Sequence, residues 1–148
     1  MTADFPPIPT LRTRGARFIR LPRVTSEAGS LLWGERAAHL PFTPQRFFCV
    51  YGVPPETVRG HHAHRRDEEV LICLRGRCTV TLDDGQQGDE VVLDDPQWGL
   101  YVPPFTWCTQ RYSAEALLIV LASEVYRPED YIRDYAAFAA FAALRGGR

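Results

Sequence analysis

The stretch "RGHHAHRRDEEVLICLRGRCTVTLDDG", residues 59–85, decides how the chain folds and where its chemistry sits. It opens with three of the chain's four histidines inside six positions. Two apolar segments follow, "EVLIC" and "CTVTL", divided by the tight-turn signal "LRGR". The Asp-Gly of "DDGQQG" then marks a hairpin into "DEVVLD". In an extended segment residues i and i+2 share a face, so His62 and His64 project together and His61 points away. Glu69 heads the next segment and is placed to approach the pair from the side.

Outward from this stretch the same pattern recurs. "RFIRL", "SLLWGE", "RFFCVYGV", "GLYVP", "WCTQRY" and "ALLIVLAS" are short apolar or alternating runs separated by turn residues. Many short strands at roughly even spacing predict an all-β antiparallel sandwich or small barrel. Only the end differs. In "RPEDYIRDYAAFAAFAALRGGR" the aromatics Tyr131, Tyr135, Phe138 and Phe141 recur at helical spacing. Pro128, Glu129 and Asp130 suit a helix start and Gly146 a stop, which predicts one helix over about 129–144. Residues 1–15 read as a flexible arm, and residues 16–148 as a single domain.

Composition narrows the function. The 148 residues are 45% apolar with a net charge of −1, so neither nucleic acid nor a membrane surface is an expected partner. No apolar run approaches the ~20 residues of a membrane span, and the first residues lack a secretion-signal core. All seventeen basic residues are arginine, which excludes Schiff-base chemistry through lysine. Asparagine is absent, which excludes N-glycosylation, and no phosphate-binding glycine loop is present. Cys49, Cys73, Cys78 and Cys108 form no CxxC pair and are expected as reduced thiols in a cytoplasmic protein.

The spacing His62-x-His64, four residues, Glu69, six residues, Gly76 is that of a cupin's first motif. In metal-binding cupins a fourth ligand, histidine, comes from a second motif, P-x-G-x-x-H. Here "PPFTWC" fills that place, with Phe105 for the glycine and Cys108 for the histidine. The set His62, His64, Glu69 and Cys108 could hold zinc or iron. Without the fourth histidine the expected arrangement is a metal-free acid/base pair. A purely structural role for the histidines is the third reading.

The ordered set "RGHHAHRRDEEVLICLRGRCTVTLDDG", "VVLDDPQWGLYVPPFTW" and "VLASEVYRPEDYIRDYAAF" resembles the nucleotide-sugar 3,4-ketoisomerases. "AGSLLWGE" and "LPFTPQRFFCVYGV" extend the resemblance upstream, so that it covers about residues 16–138. It implies a cupin double-stranded β-helix, a homodimer with exchanged N-terminal strands, no metal or other cofactor, and a dTDP-linked 4-keto-6-deoxyhexose as substrate. It also implies that His62 is the catalytic base and His64 its assistant, with Arg59 near the diphosphate, where a planar guanidinium suits phosphate oxygens. Arg46 is a second phosphate candidate or a surface ion pair. Trp107, like Trp98, is a core residue or a platform for thymine. Tyr101, His64 or an arginine would supply a donor to the C4 oxygen. Phe48 and Cys49 stand where relatives carry tyrosine, and Cys108 stands at a position associated with product stereochemistry. The general acid and the C4 configuration are thus open. The rival readings are an epimerase on a 4-keto nucleotide sugar and a sugar-binding sensor without chemistry.

Overall fold

The computed structural model describes residues 7–146. The apolar runs form twelve short strands: β1 (Arg17–Arg20), β2 (Arg23–Ser26), β3 (Gly29–Leu32), β4 (Arg46–Tyr51), β5 (Val58–His64), β6 (Glu69–Arg75), β7 (Cys78–Asp83), β8 (Gly88–Leu93), β9 (Trp98–Val102), β10 (Trp107–Tyr112), β11 (Leu117–Ala122) and β12 (Tyr131–Ile132). One helix, α1 (Tyr135–Gly146), closes the described chain. Two five-stranded antiparallel sheets, β1-β9-β6-β11-β4 and β12-β5-β10-β7-β8, enclose the core, while β2 and β3 pair only with each other. This is the expected all-β cupin architecture.

Period-2 alternation decides what faces inward. Leu71 and Cys73 of β6, Leu100 and Val102 of β9, and Leu118 and Val120 of β11 meet Val80, Leu82, Val91, Leu93, Cys108 and Tyr112 of the opposite sheet. Glu69 shares the parity of Leu71 and Cys73, so this carboxylate is carried inside. The other face of β6 is buried too: Val70 and Ile72 lie under Ile19, Leu21, Leu40 and Phe42. That double burial explains why "EVLIC" reads as a continuous apolar run. Burial of a four-carbon side chain such as that of Leu71 is worth about 1.5–3 kcal/mol.

The C-terminal helix starts later than its sequence suggests. Pro128–Asp130 is a 3₁₀ turn, and Tyr131–Ile132 is a strand paired with His64 and Ala63. The chain stays extended there because Asp130 O accepts from Arg65 N at 2.8 Å and the next residues complete the β5 edge. The cap is Asp134, whose Oδ1 accepts from Ala137 N at 2.9 Å. Of the aromatic stripe, Phe138 is fully buried, against Ala63, Ile132 and Ala142. Tyr131 belongs to β12, and Tyr135 and Phe141 are largely exposed.

The segment read as a flexible arm is anchored at its end. Thr13 N and Oγ1 both donate to Asp89 Oδ2, at 2.7 and 2.6 Å, and Arg14 N donates to Asp84 at 2.8 Å. Residues 1–6 of that arm lie outside the described residues. All four cysteines are free; Cys49 is exposed and the other three are buried. Among the described residues no helix is long and apolar enough to cross a membrane.

Candidate active site

The site begins with an irregularity in β5. Opposite β10, Cys108 pairs with His62 and Thr109 pairs with Gly60, which leaves His61 as an extra, bulged residue. Gly60 and His61 both have positive φ, 91° and 54°. The bulge resets the alternation. Without it Arg59 would share a face with His61 and Ala63; with it Arg59, His62 and Glu69 line one cavity. Gln110 and Tyr112 of β10 complete its polar wall, and Phe48, Val50, Leu71, Leu118 and Val120 form its apolar floor. A side chain at Gly60 would put its Cβ 2.5 Å from Cys108 O, so only glycine fits. Gly60→Ala is expected to straighten or unpair the bulge, cutting activity at least tenfold and lowering stability by about 1–3 kcal/mol. Paired melting curves and initial rates check it; an unchanged rate would show that the bulge does not aim His62.

His62 is half-buried, and its Nδ1 lies 3.0 Å from Gly60 O. A carbonyl only accepts, so Nδ1 carries the proton and Nε2 is bare. Burial pulls the imidazole below its ordinary pKa, and His64 alongside adds to this. His62 is therefore held neutral, with a bare ring nitrogen that is chemically able to accept a proton.

His64 has the opposite environment. Its Nδ1 donates to Asp130 Oδ2 at 3.1 Å, and its Nε2 lies 3.3 Å from Glu69 Oε1, near but off the line of a hydrogen bond. Burial alone would lower its pKa, but Glu69, Asp67 and Asp130 more than offset this and raise it. The two rings meet edge to face, with centroids 4.9 Å apart. The Tyr131 ring lies against both, at 4.9 Å from His62 and 4.4 Å from His64. Two histidines side by side are thus pushed in opposite directions, which is how acid and base roles are divided.

Behind them Asp130 ties three elements together. Its Oδ1 accepts from Arg66 N at 2.8 Å, and its Oδ2 accepts from Asp67 N at 3.2 Å as well as from His64. Asp67 in turn accepts from Arg46 at 2.9 Å, Ser123 Oγ at 3.1 Å and Glu124 N at 3.0 Å.

Of the residues expected at the site, His62, Glu69 and Arg59 meet at the cavity. Cys108 is buried beside His62, with Gln110 Nε2 3.0 Å from its sulfur, and burial pushes its thiol pKa up. Arg46 pairs with Asp67 at 2.9 Å and does not line this cavity. Tyr101 is not at the site: it faces outward into the cluster of Ile19, Phe42 and Val70, and its hydroxyl donates to Glu68. Trp107 also faces out, packed on Tyr135 and Phe138 of α1. Adjacent strand residues cannot both point inward, so with Cys108 inside, Trp107 must be outside. The sequence reading missed Gln110, Tyr112 and Asp130. Gln110 and Tyr112 were recoverable as the i+2 and i+4 neighbours of Cys108.

His62, His64, Glu69 and Cys108 do not converge as a metal cage. Among the described residues the one group of three ligand atoms within 4.8 Å is His64, Asp67 and Asp130. Its carboxylates are already occupied by N–H and O–H donors and by the Arg46 guanidinium. That arrangement does not fit a metal ion.

A family model described as FdtA, WxcM-like, C-terminal, matches residues 14–143. A TDP-4-oxo-6-deoxy-alpha-D-glucose-3,4-oxoisomerase of Aneurinibacillus thermoaerophilus is 38% identical over 128 residues, 86% of this chain and 92% of that protein. The crystal structure of a 3,4-ketoisomerase from Helicobacter canadensis matches with a TM-score of 0.84 at 33% identity, over 87% of this chain and 98% of that one. QdtA, a sugar 3,4-ketoisomerase from Thermoanaerobacterium thermosaccharolyticum solved in complex with TDP, matches with a TM-score of 0.87 at 31% identity, over 89% and 97%. With its histidine pair on the same fold, this chain is an isomerase and belongs to the FdtA family of cupin-fold nucleotide-sugar 3,4-ketoisomerases.

Proposed function

We propose that the chain moves the ketone of dTDP-4-keto-6-deoxy-D-glucose from C4 to C3 through an enediol, in deoxysugar biosynthesis, without a metal or redox cofactor. The observation that carries this reading is the neutral His62, its bare Nε2 at a cavity that also holds a carboxyl group and an arginine. The C3 proton is acidified by the neighbouring ketone, and an imidazole that is neutral at pH 7 removes it. The same nitrogen returns a proton at C4. Oxidation at C3 balances reduction at C4, so no external electron acceptor is required. The name of the Aneurinibacillus relative supports the substrate, and the TDP bound to QdtA supports the nucleotide. Proton NMR of dTDP-4-keto-6-deoxyglucose with enzyme is expected to show a 3-keto product, with activity unchanged after chelator treatment. Return of the proton to its original carbon would indicate an epimerase, and loss of activity on chelation would restore a metal.

The reading includes a homodimer. Strand β1 pairs with β9 of its own chain, whereas β2 and β3 form a separate ribbon with Val24 57% and Leu31 64% exposed. The outer face of edge strand β4 exposes Phe47 and Tyr51 by 68% and 73%. A two-stranded ribbon has little stability alone, and an open apolar edge invites pairing. Exchange of the β2–β3 ribbon between two copies would cover both. Light scattering at micromolar concentration is expected to give twice the 16.8 kDa chain mass. A monomer at that concentration would remove the exchange.

A further inference from the structure

We propose that Glu69 is the second group that exchanges protons with the sugar, and that His64, clamped by Asp130, acts through Glu69 rather than touching the substrate. The inference rests on the ketoisomerase reading above and assigns the oxygen-side proton transfers within it.

The geometry separates the two candidates. Glu69 lines the cavity together with His62, whereas His64 does not line it. The side chains of His64 and Glu69 are 7% and 8% exposed, and they lie against each other, His64 Nε2 to Glu69 Oε1 at 3.3 Å. On its far side His64 Nδ1 meets Asp130. The order from protein to cavity is therefore Asp130, His64, Glu69. His64 Nε2 is buried without an aligned hydrogen-bond partner, which is costly unless a proton is shared across that gap.

This chain of groups matches what the reaction needs. With Nδ1–H committed to Asp130, one further proton lies between His64 Nε2 and Glu69. His62 Nε2 takes the proton from C3, and the C–H electrons form the C3=C4 bond. The C4 carbonyl π electrons move to O4, which takes from Glu69 the proton held between Glu69 and His64 Nε2, giving the enediol. The Glu69 carboxylate next removes the O3 proton, returning it to the gap with His64 Nε2, and the C3 carbonyl forms. The double-bond electrons then take the proton of His62 at C4. Both protein groups end as they began. The two oxygens of one carboxyl can serve the vicinal O3 and O4, so His62 handles the carbon protons and Glu69 the oxygen protons. The charged and titratable groups around His64 are His62 on β5, Asp67 in the turn after it, Glu69 on β6, Asp130 on the 3₁₀ turn and Tyr131 on β12. Glu69, Asp67 and Asp130 together hold the His64 proton, with Asp67 itself paired to Arg46.

The test follows dTDP-4-keto-6-deoxyglucose in D₂O by NMR and reads two rates at once, deuterium entry at C3 of the substrate and formation of the 3-keto product. Their ratio is independent of how much of a variant is folded. Glu69→Gln keeps an amide N–H for O4 but cannot shuttle a proton. The ratio of isomerisation to exchange is expected to fall at least 100-fold, while His62→Asn loses both rates. An unchanged ratio in Glu69→Gln overturns the proposal. So does a Glu69→Gln protein that binds TDP but performs neither reaction, since Glu69 would then share in carbon-proton removal. If glutamine at this position prevents folding, Glu69→Asp carries the same comparison, and its shorter carboxyl must also lower the ratio. Absence of the 3-keto product with the unaltered enzyme would instead refute the ketoisomerase reading itself.

Discussion

Replacing His62 with asparagine is expected to abolish isomerisation while leaving TDP binding nearly intact. The Asn amide N–H can still reach Gly60 O, which now accepts from His62 Nδ1 at 3.0 Å, so the bulge keeps its internal bond. What disappears is the bare Nε2. Loss of one general base costs about 10²–10⁴ in rate. In the proposed mechanism His62 serves both carbon-proton transfers, which places its loss at or beyond the upper end. On the proposed reading, ground-state affinity is expected to rest on the nucleotide and diphosphate, which do not touch the reacting carbon, so the effect should fall on kcat rather than KM. In D₂O the variant is expected to incorporate no deuterium at C3. The unaltered enzyme adds a pH criterion. A base acts only when deprotonated, and burial holds the His62 pKa below its ordinary value. The acid limb of its kcat profile should therefore lie below about pH 6.5. Calorimetry with TDP and single-turnover NMR check both parts. Near-normal turnover by His62→Asn would mean that another residue removes the proton.

Much of this site was legible from period-2 alternation alone. His62 and His64 share a face because they are two apart in a strand, and Glu69 lies inward because Leu71 and Cys73 do. Alternation fails where the backbone departs from it. The bulge at Gly60 and His61 brings Arg59 to the cavity, and no spacing rule anticipates the two positive φ values that create it. For "GLYVP" alternation was insufficient, because it does not say which parity faces the core; Tyr101 lies outside and its neighbours Leu100 and Val102 inside. Asp130 was hidden for another reason. Proline followed by two acids is also how a helix begins, so the carboxylate read as part of a helix start. The structure uses it to join the turn after β5 to His64, a long-range contact of 66 residues that local pattern cannot disclose.

Asp130→Asn is the sharper test of that contact, because it changes charge and donor pattern at almost constant shape. The amide oxygen can keep the 2.8 Å bond from Arg66 N. The NH₂ then occupies the other position, facing Asp67 N–H and His64 Nδ1. Two donors meet at Asp67, which strands one of them. At His64 the NH₂ donates to Nδ1 and drives the ring proton to Nε2, facing Glu69. A neutral His64 in that tautomer has no vacant Nε2 to take a proton from Glu69, so the exchange between them stops. The corresponding Asp→Asn change in a serine protease triad costs about 10⁴ in kcat through the same tautomer reversal. Here a fall of about 10²–10⁴ is expected, with the alkaline limb of kcat moved to lower pH, since one of the carboxylates that holds the His64 proton has gone. Stability should follow the same group. Folding raises the His64 pKa, so the contribution is complete below about pH 6.5 and fades as pH rises through the folded-state value. The variant should be about 1.5–3 kcal/mol less stable at pH 6, as for a hydrogen bond to a charged group, and the gap should narrow toward alkaline pH. Melting curves and kcat profiles across that range decide the matter. If Asp130→Asn lost stability but kept its rate and its alkaline limb, Asp130 would only brace the turn, and His64 would owe its proton to Glu69 and Asp67.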